Sequence, residues 1–309
     1  MNIDIYNNFI INPTLEVTPS IRISPFRNVH LQIKNSSEVM IKTTSDYLSN
    51  RFPNYRLVQK GRLAISIALS SFNLSKEDVV TILTTSGNFY ISGCVTKEIE
   101  KHCRWSREFL PQTKVIFVNH EFGYPYPNTE SLKEYGLPII EDCAHTFFSD
   151  NGNIGKVGDF MIYSLPKAFP MQLGGILVSS NVNFTPLCQE SEELNTYILS
   201  HLFPCIDKIN SIKKSRLSNY QYLATRLCSI GIEPYFLLDK GVIPGVFLFR
   251  WLDNIDYSLL KVFMQSNGVE SSVFYGEKAF FVPCHDYLTE MEIDYMCCLL
   301  EYYYKNMKG

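Results

Sequence analysis

The chain has 309 residues, of which 46% are hydrophobic and 19% are charged, and its formal net charge is −3. This length allows one large hydrophobic core or two unequal domains. A slightly acidic chain offers no basic surface to a nucleic-acid backbone or an anionic membrane, so we expect neither partner. The nine cysteines have neither metal-hook nor disulfide-framework spacing, which indicates reduced thiols and no metal site.

Targeting and membrane segments are not evident. The N-terminal stretch MNIDIYNNFIINP lacks the positive and the long apolar regions of a signal peptide. The longest uncharged run, residues 168–189, contains prolines and glycines that exclude a lipid-spanning helix. We therefore expect a soluble, cytoplasmic protein.

The first half of the chain predicts a parallel sheet. Residues 1–55 are polar and poorly periodic, and we treat them as an atypical N-terminal segment. After them, compact runs rich in β-branched residues alternate with helix-length segments, a pattern typical of an α/β domain with a mostly parallel sheet and helices on both faces. The predicted strands span 55–58, 78–85, 113–120, 137–145, 160–165 and 175–180, and a helix opens at Gly61.

The second half predicts a smaller α+β domain. Residues 206–227 form a charged amphipathic stretch that suits a long connecting helix. GVFLFRWL and ESSVFY are strand candidates on either side of a helix in DYSLLKVFMQSNG, and T-E-M-E from Thr289 forms a capping box for the last helix. We predict a domain boundary near residue 185, with a large domain over 1–185 and a small domain over 186–309.

Lys167 lies in YSLPKAFPMQLGG, with no carboxylate within seven positions on either side. A lysine in an apolar loop commonly lays its stem on the surface and keeps its ammonium in water. The alternative is a desolvated amine whose lowered pKa makes it a nucleophile toward carbonyl groups, as in Schiff-base chemistry. Lys167 alone does not decide between the two.

Two residues near the end of the predicted strand LPIIED bear on this choice. Asp142 ends the strand, and the carboxyl ends of parallel strands line the ligand crevice of an open sheet. It is either a surface turn carboxylate or an acid held near the ring nitrogen of pyridoxal phosphate (PLP), which needs such a partner. His145 is either a satisfied interior histidine or a group within reach of the phenolic oxygen of that cofactor.

A phosphate site is predicted at the strand-to-helix turn of Gly61 and Arg62. Backbone N–H groups at a helix N-terminus favour an anion, and glycine allows it to approach. Ser164, three residues before Lys167, could bind the same phosphate or be an ordinary strand-end serine. Phe89 could stack on a flat heteroaromatic ring or belong to the core. The glycine-rich run GNIGKVGD, residues 152–159, fits neither a P-loop nor a dinucleotide fingerprint and is interpreted as a surface turn.

Taken together and in this order, these segments resemble the DegT/StrS family of sugar aminotransferases, which are fold type I PLP-dependent enzymes. The resemblance runs from about residue 58 to the C-terminus, with one gap. Its specific part is ED-x-A-H followed by GD, a serine, a lysine and a glycine pair. The matching stretches are GRLAISIAL, NFYISG, VIFVNHEFGYPYP, PIIEDCAH, GKVGDFMIYSLPK with its glycine pair, and VPCHDYLTEMEI.

The resemblance implies roles for the candidate residues. Lys167 would form the Schiff base with PLP, Asp142 would pair with the pyridinium nitrogen, and His145 would take the place near the ring oxygen. The implied phosphate site combines Ser164 with the backbone at Gly61 and Arg62, and Phe89 fills the aromatic stacking position. The family also implies homodimers whose active sites borrow residues from the partner subunit.

This sequence departs from the family in three places. SLPK has two residues between serine and lysine where four are common, and Arg62 stands where a small hydroxyl residue is usual. The segment between GILVSS and the helix expected at 206 is also much shorter than typical. That segment normally carries an asparagine and arginine loop that reaches phosphate and substrate across the dimer.

The resulting hypothesis is an aminotransferase that moves an amino group from an amino acid, by family analogy glutamate, to a keto acceptor. The acceptor would be a keto-sugar, nucleotide-linked or not, with surface polysaccharide synthesis as the family habit. The alternatives are a dehydration or elimination reaction on the same fold, which the retained Lys167 disfavours, and a non-catalytic PLP-binding accessory protein. A third alternative is an α/β protein without a cofactor.

Overall fold

The computed structural model describes residues 4–6, 9–11, 19–27, 30, 37–152, 154–181 and 191–308. Two compact units are found. The larger unit comprises residues 26–209 and 239–243, and the smaller unit comprises residues 1–25, 210–238 and 244–309. The predicted boundary near residue 185 falls outside the described residues, so it stays a prediction.

The elements follow one another along the chain with these bounds. The strands are β1 (Asp4–Tyr6), β2 (Phe9–Ile11), β3 (Tyr55–Val58), β4 (Val79–Thr84), β5 (Arg104–Ser106), β6 (Thr113–Asn119), β7 (Ile139–Asp142), β8 (Phe160–Ser164), β9 (Gly175–Ser179), β10 (Ile232–Pro234), β11 (Val246–Trp251), β12 (Ser272–Phe274) and β13 (Ala279–Pro283). The helices are α1 (Glu38–Arg51), α2 (Gly61–Ser70), α3 (Gly93–Ile99), α4 (Leu165–Ala168), α5 (Glu192–Ile206), α6 (Ile209–Leu227), α7 (Tyr257–Ser266) and α8 (Glu290–Lys308).

The larger unit is built on a seven-stranded sheet in the order β3-β9-β8-β7-β6-β4-β5. Strands β5, β4, β6, β7 and β8 run parallel to one another, whereas β9 runs antiparallel to both β8 and β3. It follows that β3 runs in the same direction as β8. The carboxyl ends of β3, β4, β6, β7 and β8 therefore lie along one edge, where ligands bind in open α/β sheets.

Both faces of this sheet are covered. Four successive residues of β6, numbers 115–118, are fully buried, because alternate side chains enter the cores on opposite faces. Val115 and Phe117 pack with α2 and α3 residues, including Ala64 and Val95. On the opposite face, residues 116 and 118 pack with Leu132 and Val157. This architecture confirms the predicted α/β fold with a mostly parallel sheet.

The smaller unit contains a four-stranded antiparallel sheet in the order β10-β11-β13-β12. The predicted capping box of its last helix is present. The N–H of Glu292 donates to Thr289 Oγ1 over 3.2 Å, and the N–H of Thr289 donates to Glu292 Oε2 over 2.8 Å. No helix in the described ranges combines the length and the apolar content needed to cross a membrane.

Three helices longer than a single turn, α1, α3 and α5, were absent from the sequence prediction. In α1 the buried residues are Thr44 and Leu48, a stripe too narrow to show in the hydrophobic pattern. Helix α5 contains Pro204, a residue type that disfavours helix interiors, and the long helix expected from residue 206 begins at Ile209. Lys167 lies in the single turn α4 rather than in a loop.

Candidate active site

The carboxyl edge of the larger sheet carries the candidate residues. Asp142 ends β7, and its Cα pairs with Ile162 of the adjacent strand β8. Ser164 ends β8, and Lys167 follows in the turn α4, where Pro166 occupies the first turn as prolines favour. Gly61 begins α2 after β3, and Phe89 follows β4. Sheet topology thus brings residues from distant parts of the chain to one edge.

The Lys167 amine is in a desolvating environment. The Lys167 side chain is exposed, yet desolvation by the surrounding protein atoms lowers the pKa of its amine below the ordinary lysine value. The charges of Asp142 and of the Cys94 thiol act in the opposite direction and raise the pKa. The exposed side chain fits the surface lysine of the sequence analysis, whereas the lowered pKa fits its desolvated alternative, so the role of Lys167 stays a prediction.

The Asp142 carboxylate, at the end of β7, interacts with the charge of Lys167. Asp142 is 8% exposed, and loss of solvent raises the pKa of its carboxyl above the ordinary value. The Lys167 charge, a hydrogen bond from the Ala144 N–H to Oδ1 over 3.0 Å, and the charge of His120 each lower this pKa in part. A buried carboxylate that interacts with a desolvated amine is a pairing that a surface turn would not produce.

The start of α2 faces Ser164. A Cβ added to Gly61 would lie 3.6 Å from Ser164 Cβ and 4.0 Å from its Oγ. The N-cap residue Lys60 gives no side-chain hydrogen bond to this helix, so its N-terminal N–H groups are not capped by that side chain. Gly175 packs so closely that its own Cβ would lie 3.0 Å from the Gly61 nitrogen. A hydroxyl beside a helix N-terminus can bind an anion such as phosphate.

The three other predicted site residues differ in their exposure to solvent. Arg62 is exposed on the first turn of α2. The ring of half-buried His145 lies 5.7 Å from that of Phe122, tilted by 48°. The Phe89 side chain is 72% exposed, so it is not the core residue that was its alternative interpretation.

Glu141 is an important residue that the sequence analysis missed. Its carboxylate is fully buried and accepts hydrogen bonds from His120 Nε2 over 2.8 Å and from the N–H groups of Gly155, Val157 and Gly158 over 2.8, 2.8 and 2.7 Å. The run GNIGKVGD is therefore a turn whose backbone points inward, not only a surface feature. Two neighbouring acids at the end of an apolar strand, followed by a glycine-rich turn, were the available signal.

Hydrogen bonds within the protein engage the His120 and Glu141 atoms of this buried cluster. His120, Glu141 and Cys143 lie close enough together to be considered as ligands. However, His120 Nδ1 accepts the Tyr126 N–H over 2.9 Å while its Nε2 contacts the Glu141 carboxylate. Both oxygens of Glu141 already accept two hydrogen bonds each. The hydrogen bonds of His120 and Glu141 thus favour a structural role for these two residues, in line with the expectation of no metal site.

Comparisons with known proteins establish the fold. No family model matches the sequence, and no curated protein matches it. Solved structures do match. The aminotransferase TlmJ from Streptoalloteichus hindustanus is 12% identical, with a TM-score of 0.69 over 93% of this chain and 98% of its own. The chain has the fold of an aminotransferase.

Two further structures share this aminotransferase fold. A DegT DnrJ EryC1 StrS aminotransferase from Brucella abortus is 13% identical, with a TM-score of 0.68 over 88% of this chain and 92% of its own. The PMP-form of Spr1654 from Streptococcus pneumoniae, described as a sugar aminotransferase, is 13% identical, with a TM-score of 0.69 over 96% and 100%. The predicted fold type is thereby confirmed.

Proposed function

We propose that the protein is a PLP-dependent aminotransferase of the DegT/StrS type. The observation that carries this proposal is the desolvated amine of Lys167 interacting with the buried Asp142 carboxylate at the carboxyl edge of the sheet. Spr1654, which has the same fold, is known in a PLP-form and a PMP-form, and DesV from S. venezuelae in complex with a ketimine intermediate. These relatives support the proposal by likeness of fold.

The residues present fit PLP. Lys167 offers an amine of lowered pKa for an aldehyde, and Asp142 offers a buried carboxylate for a protonated ring nitrogen. Ser164 beside the start of α2 offers a hydroxyl and backbone N–H groups for the phosphate, with Gly61 and Arg62 in the first turn.

Two rings would complete the site. We assign the exposed ring of Phe89 to stacking on the cofactor, because an aromatic side chain that is 72% exposed gains most from covering another ring. His145 would lie near the ring oxygen, with its imidazole kept in place beside Phe122.

Lys167 and Asp142 have separate chemical tasks in the proposed reaction. When bound, the cofactor supplies an electron sink for the carbon that loses a proton. Asp142 would hold the proton on the ring nitrogen, since its carboxylate is buried and desolvated. Lys167 Nζ would carry the cofactor and, once displaced by the amino donor, would take the proton from the substrate's α-carbon and deliver it to the carbon of the cofactor that bears the nitrogen. A lowered pKa suits this task because the neutral amine is then available as a base.

The finer parts of the proposal concern substrates and assembly. We propose glutamate as the donor and a keto-sugar, nucleotide-linked or not, as the acceptor, in the synthesis of a surface polysaccharide. We also propose a cytoplasmic homodimer with shared active sites. The described structure starts α5 at Glu192, only a short distance after β9 ends at Ser179. This short connection is the reason that the acceptor is proposed only as a class.

A spectral titration tests the proposed activity. The purified protein is loaded with PLP, and its visible absorbance is followed as glutamate and other amino acids are added. We expect glutamate to bleach the band of lysine-bound cofactor and to produce the pyridoxamine spectrum, and a keto acid to reverse the change. A spectrum that no amino acid alters would contradict transamination and favour a PLP-binding accessory protein.

A further inference from the structure

We propose that Arg107 is a positioning residue that holds the Phe89 ring over the cofactor. Arg107 directly follows the edge strand β5, and Phe89 lies in the loop after the adjacent strand β4. The inference rests on the proposed function, because only a bound PLP provides the flat ring that Phe89 would cover.

The Arg107 guanidinium binds the loop that presents Phe89. Its Nη2 donates to the carbonyl oxygen of Asn88 over 2.7 Å and to Thr84 Oγ1 over 3.0 Å. Its Nη1 donates to the carbonyl oxygen of Ile82. The planar fork thus ties the end of β4 to the residue that immediately precedes Phe89.

The same loop is also fixed on its other sides. The N–H of Tyr90 donates to Asn88 Oδ1 over 3.1 Å, so both neighbours of Phe89 are held. The N–H of Asn88 donates to Ser86 Oγ over 3.0 Å, and the N–H of Ser86 donates to Glu121 Oε2 over 2.6 Å. The backbone around residue 89 is therefore ordered while its side chain remains exposed.

This arrangement has an electrostatic cost. Desolvation lowers the pKa of Arg107, and the charge of Glu121 offsets it only in part. Arg107 Nε is buried and has no hydrogen-bond partner among the described residues. A half-buried cation bound mainly to carbonyl oxygens is a costly way to stabilise a sheet edge. In return, the arrangement fixes the backbone that presents the exposed Phe89 side chain.

A double-mutant cycle on PLP affinity tests the inference. The dissociation constant is measured by equilibrium dialysis for the wild type, Phe89→Ala, Arg107→Gln and the double variant. If Arg107 acts through the ring, each single change weakens binding by about tenfold, the size expected for a stacking contact. The double variant should then be within about twofold of Phe89→Ala. Losses that add in the double variant would overturn the inference.

Two further variants test whether the planar guanidinium of Arg107 is needed, rather than its positive charge or any arginine near β5. Arg107→Lys keeps the charge but loses the fork, so we expect only partial recovery of affinity, whereas complete recovery would indicate attraction of the phosphate by charge alone and overturn the positioning role. Arg104→Gln is the matched control. Arg104 lies on β5 in an exposed ion pair with Glu77 at 2.6 Å, and its replacement should leave the affinity unchanged.

Hydrogen exchange provides a readout that needs no cofactor. In the ligand-free protein, Arg107→Gln should speed exchange of the amides of residues 86–91, and Arg104→Gln should not. Unchanged exchange in that segment would overturn the inference. A wild type that binds no PLP would instead overturn the proposed function and the positioning role with it, whereas PLP binding with additive losses would overturn the positioning role alone.

Discussion

Glu141 and Asp142 are neighbours on β7, and their carboxylates have opposite surroundings. Strand geometry sends the two side chains to opposite faces of the sheet. The Glu141 carboxylate accepts four hydrogen bonds, three of them from the turn at residues 155–158. The Asp142 carboxylate accepts one from the N–H of Ala144, as far as the described residues show, and interacts with the charge of Lys167.

The two carboxyl groups show what hydrogen bonding does to a buried charge. Desolvation raises the pKa of both. At Glu141 the hydrogen bond from His120, together with the N–H groups of Gly158 and Val157, outweighs desolvation and lowers the pKa. At Asp142 desolvation prevails and the pKa is raised. The charged form is thus favoured at Glu141 and disfavoured at Asp142.

The largest expected effect comes from Glu141→Gln. The replacement brings an NH₂ group against donors that now contact a carboxylate, and it removes the charge that His120 contacts. We expect a loss of about 3–5 kcal/mol in the free energy of unfolding, measured by urea denaturation. A loss below about 1 kcal/mol would show that the turn does not depend on Glu141.

The turn around Glu141 also predicts a difference between two glycines. Gly155 has a φ of +64°, and a Cβ there would lie 2.3 Å from Tyr163 Oη. Gly152 has a φ of +57° with nothing within 4 Å of such a Cβ. Gly155→Ala should therefore cost about 3 kcal/mol and Gly152→Ala about 1 kcal/mol, both measured by thermal unfolding. Equal costs would mean that the side chain of Tyr163 moves aside freely.

Replacing Asp142 should raise the stability of the ligand-free protein, whereas replacing Glu141 should lower it. Asp142→Asn removes a charge that is desolvated in the folded protein and keeps an oxygen for the Ala144 N–H. We expect the ligand-free protein to gain up to about 1 kcal/mol at pH 7. The affinity for PLP should fall at the same time. A variant that loses both stability and affinity would contradict the functional interpretation of this carboxylate.

The pH dependence of that gain has a defined sign. Because the folded pKa of Asp142 lies above its unfolded value, the folded state binds more protons in the window that begins near 3.8. The stability that Asp142 contributes is therefore present below this window and is lost as the pH rises through the folded pKa. The gain from Asp142→Asn should shrink as the pH falls toward 4, as urea denaturation at several pH values would show.

The smallest effect is expected for Gly61→Ala. The added Cβ would lie 3.6 Å from Ser164 Cβ, an ordinary contact, so stability should change by less than about 0.5 kcal/mol. Any loss should appear in phosphate binding instead, because the methyl group points at the Ser164 hydroxyl. Isothermal titration with inorganic phosphate and thermal unfolding measure the two quantities separately.

The sheet was predictable because its strands are short, continuous apolar runs. Residues 55–58 were predicted with the bounds of β3, and residues 160–165 and 175–180 differ from β8 and β9 by one residue. Burial on both faces makes such runs stand out from polar loops. The antiparallel direction of β9 was not evident, since strand direction depends on chain connections that the apolar pattern does not contain.

The site was predictable where its chemistry depends on residue type. Lys167 and Asp142 could be proposed because an amine and an acid at strand ends are unusual in apolar surroundings. The hydrogen bonds of Glu141 and Arg107 were missed because they involve backbone groups of residues 155–158 and 82–88. Such groups are present at every position, so only the folded geometry shows which of them converge.

Reduction of the PLP-loaded protein with borohydride, followed by peptide mapping, tests the central claim most directly. Borohydride converts a Schiff base into a stable amine and thereby marks the lysine that carries the cofactor. We predict a single pyridoxyl group on Lys167 in the wild type and none in Lys167→Ala. A wild-type protein without this adduct, or with the adduct on another lysine, would contradict the account.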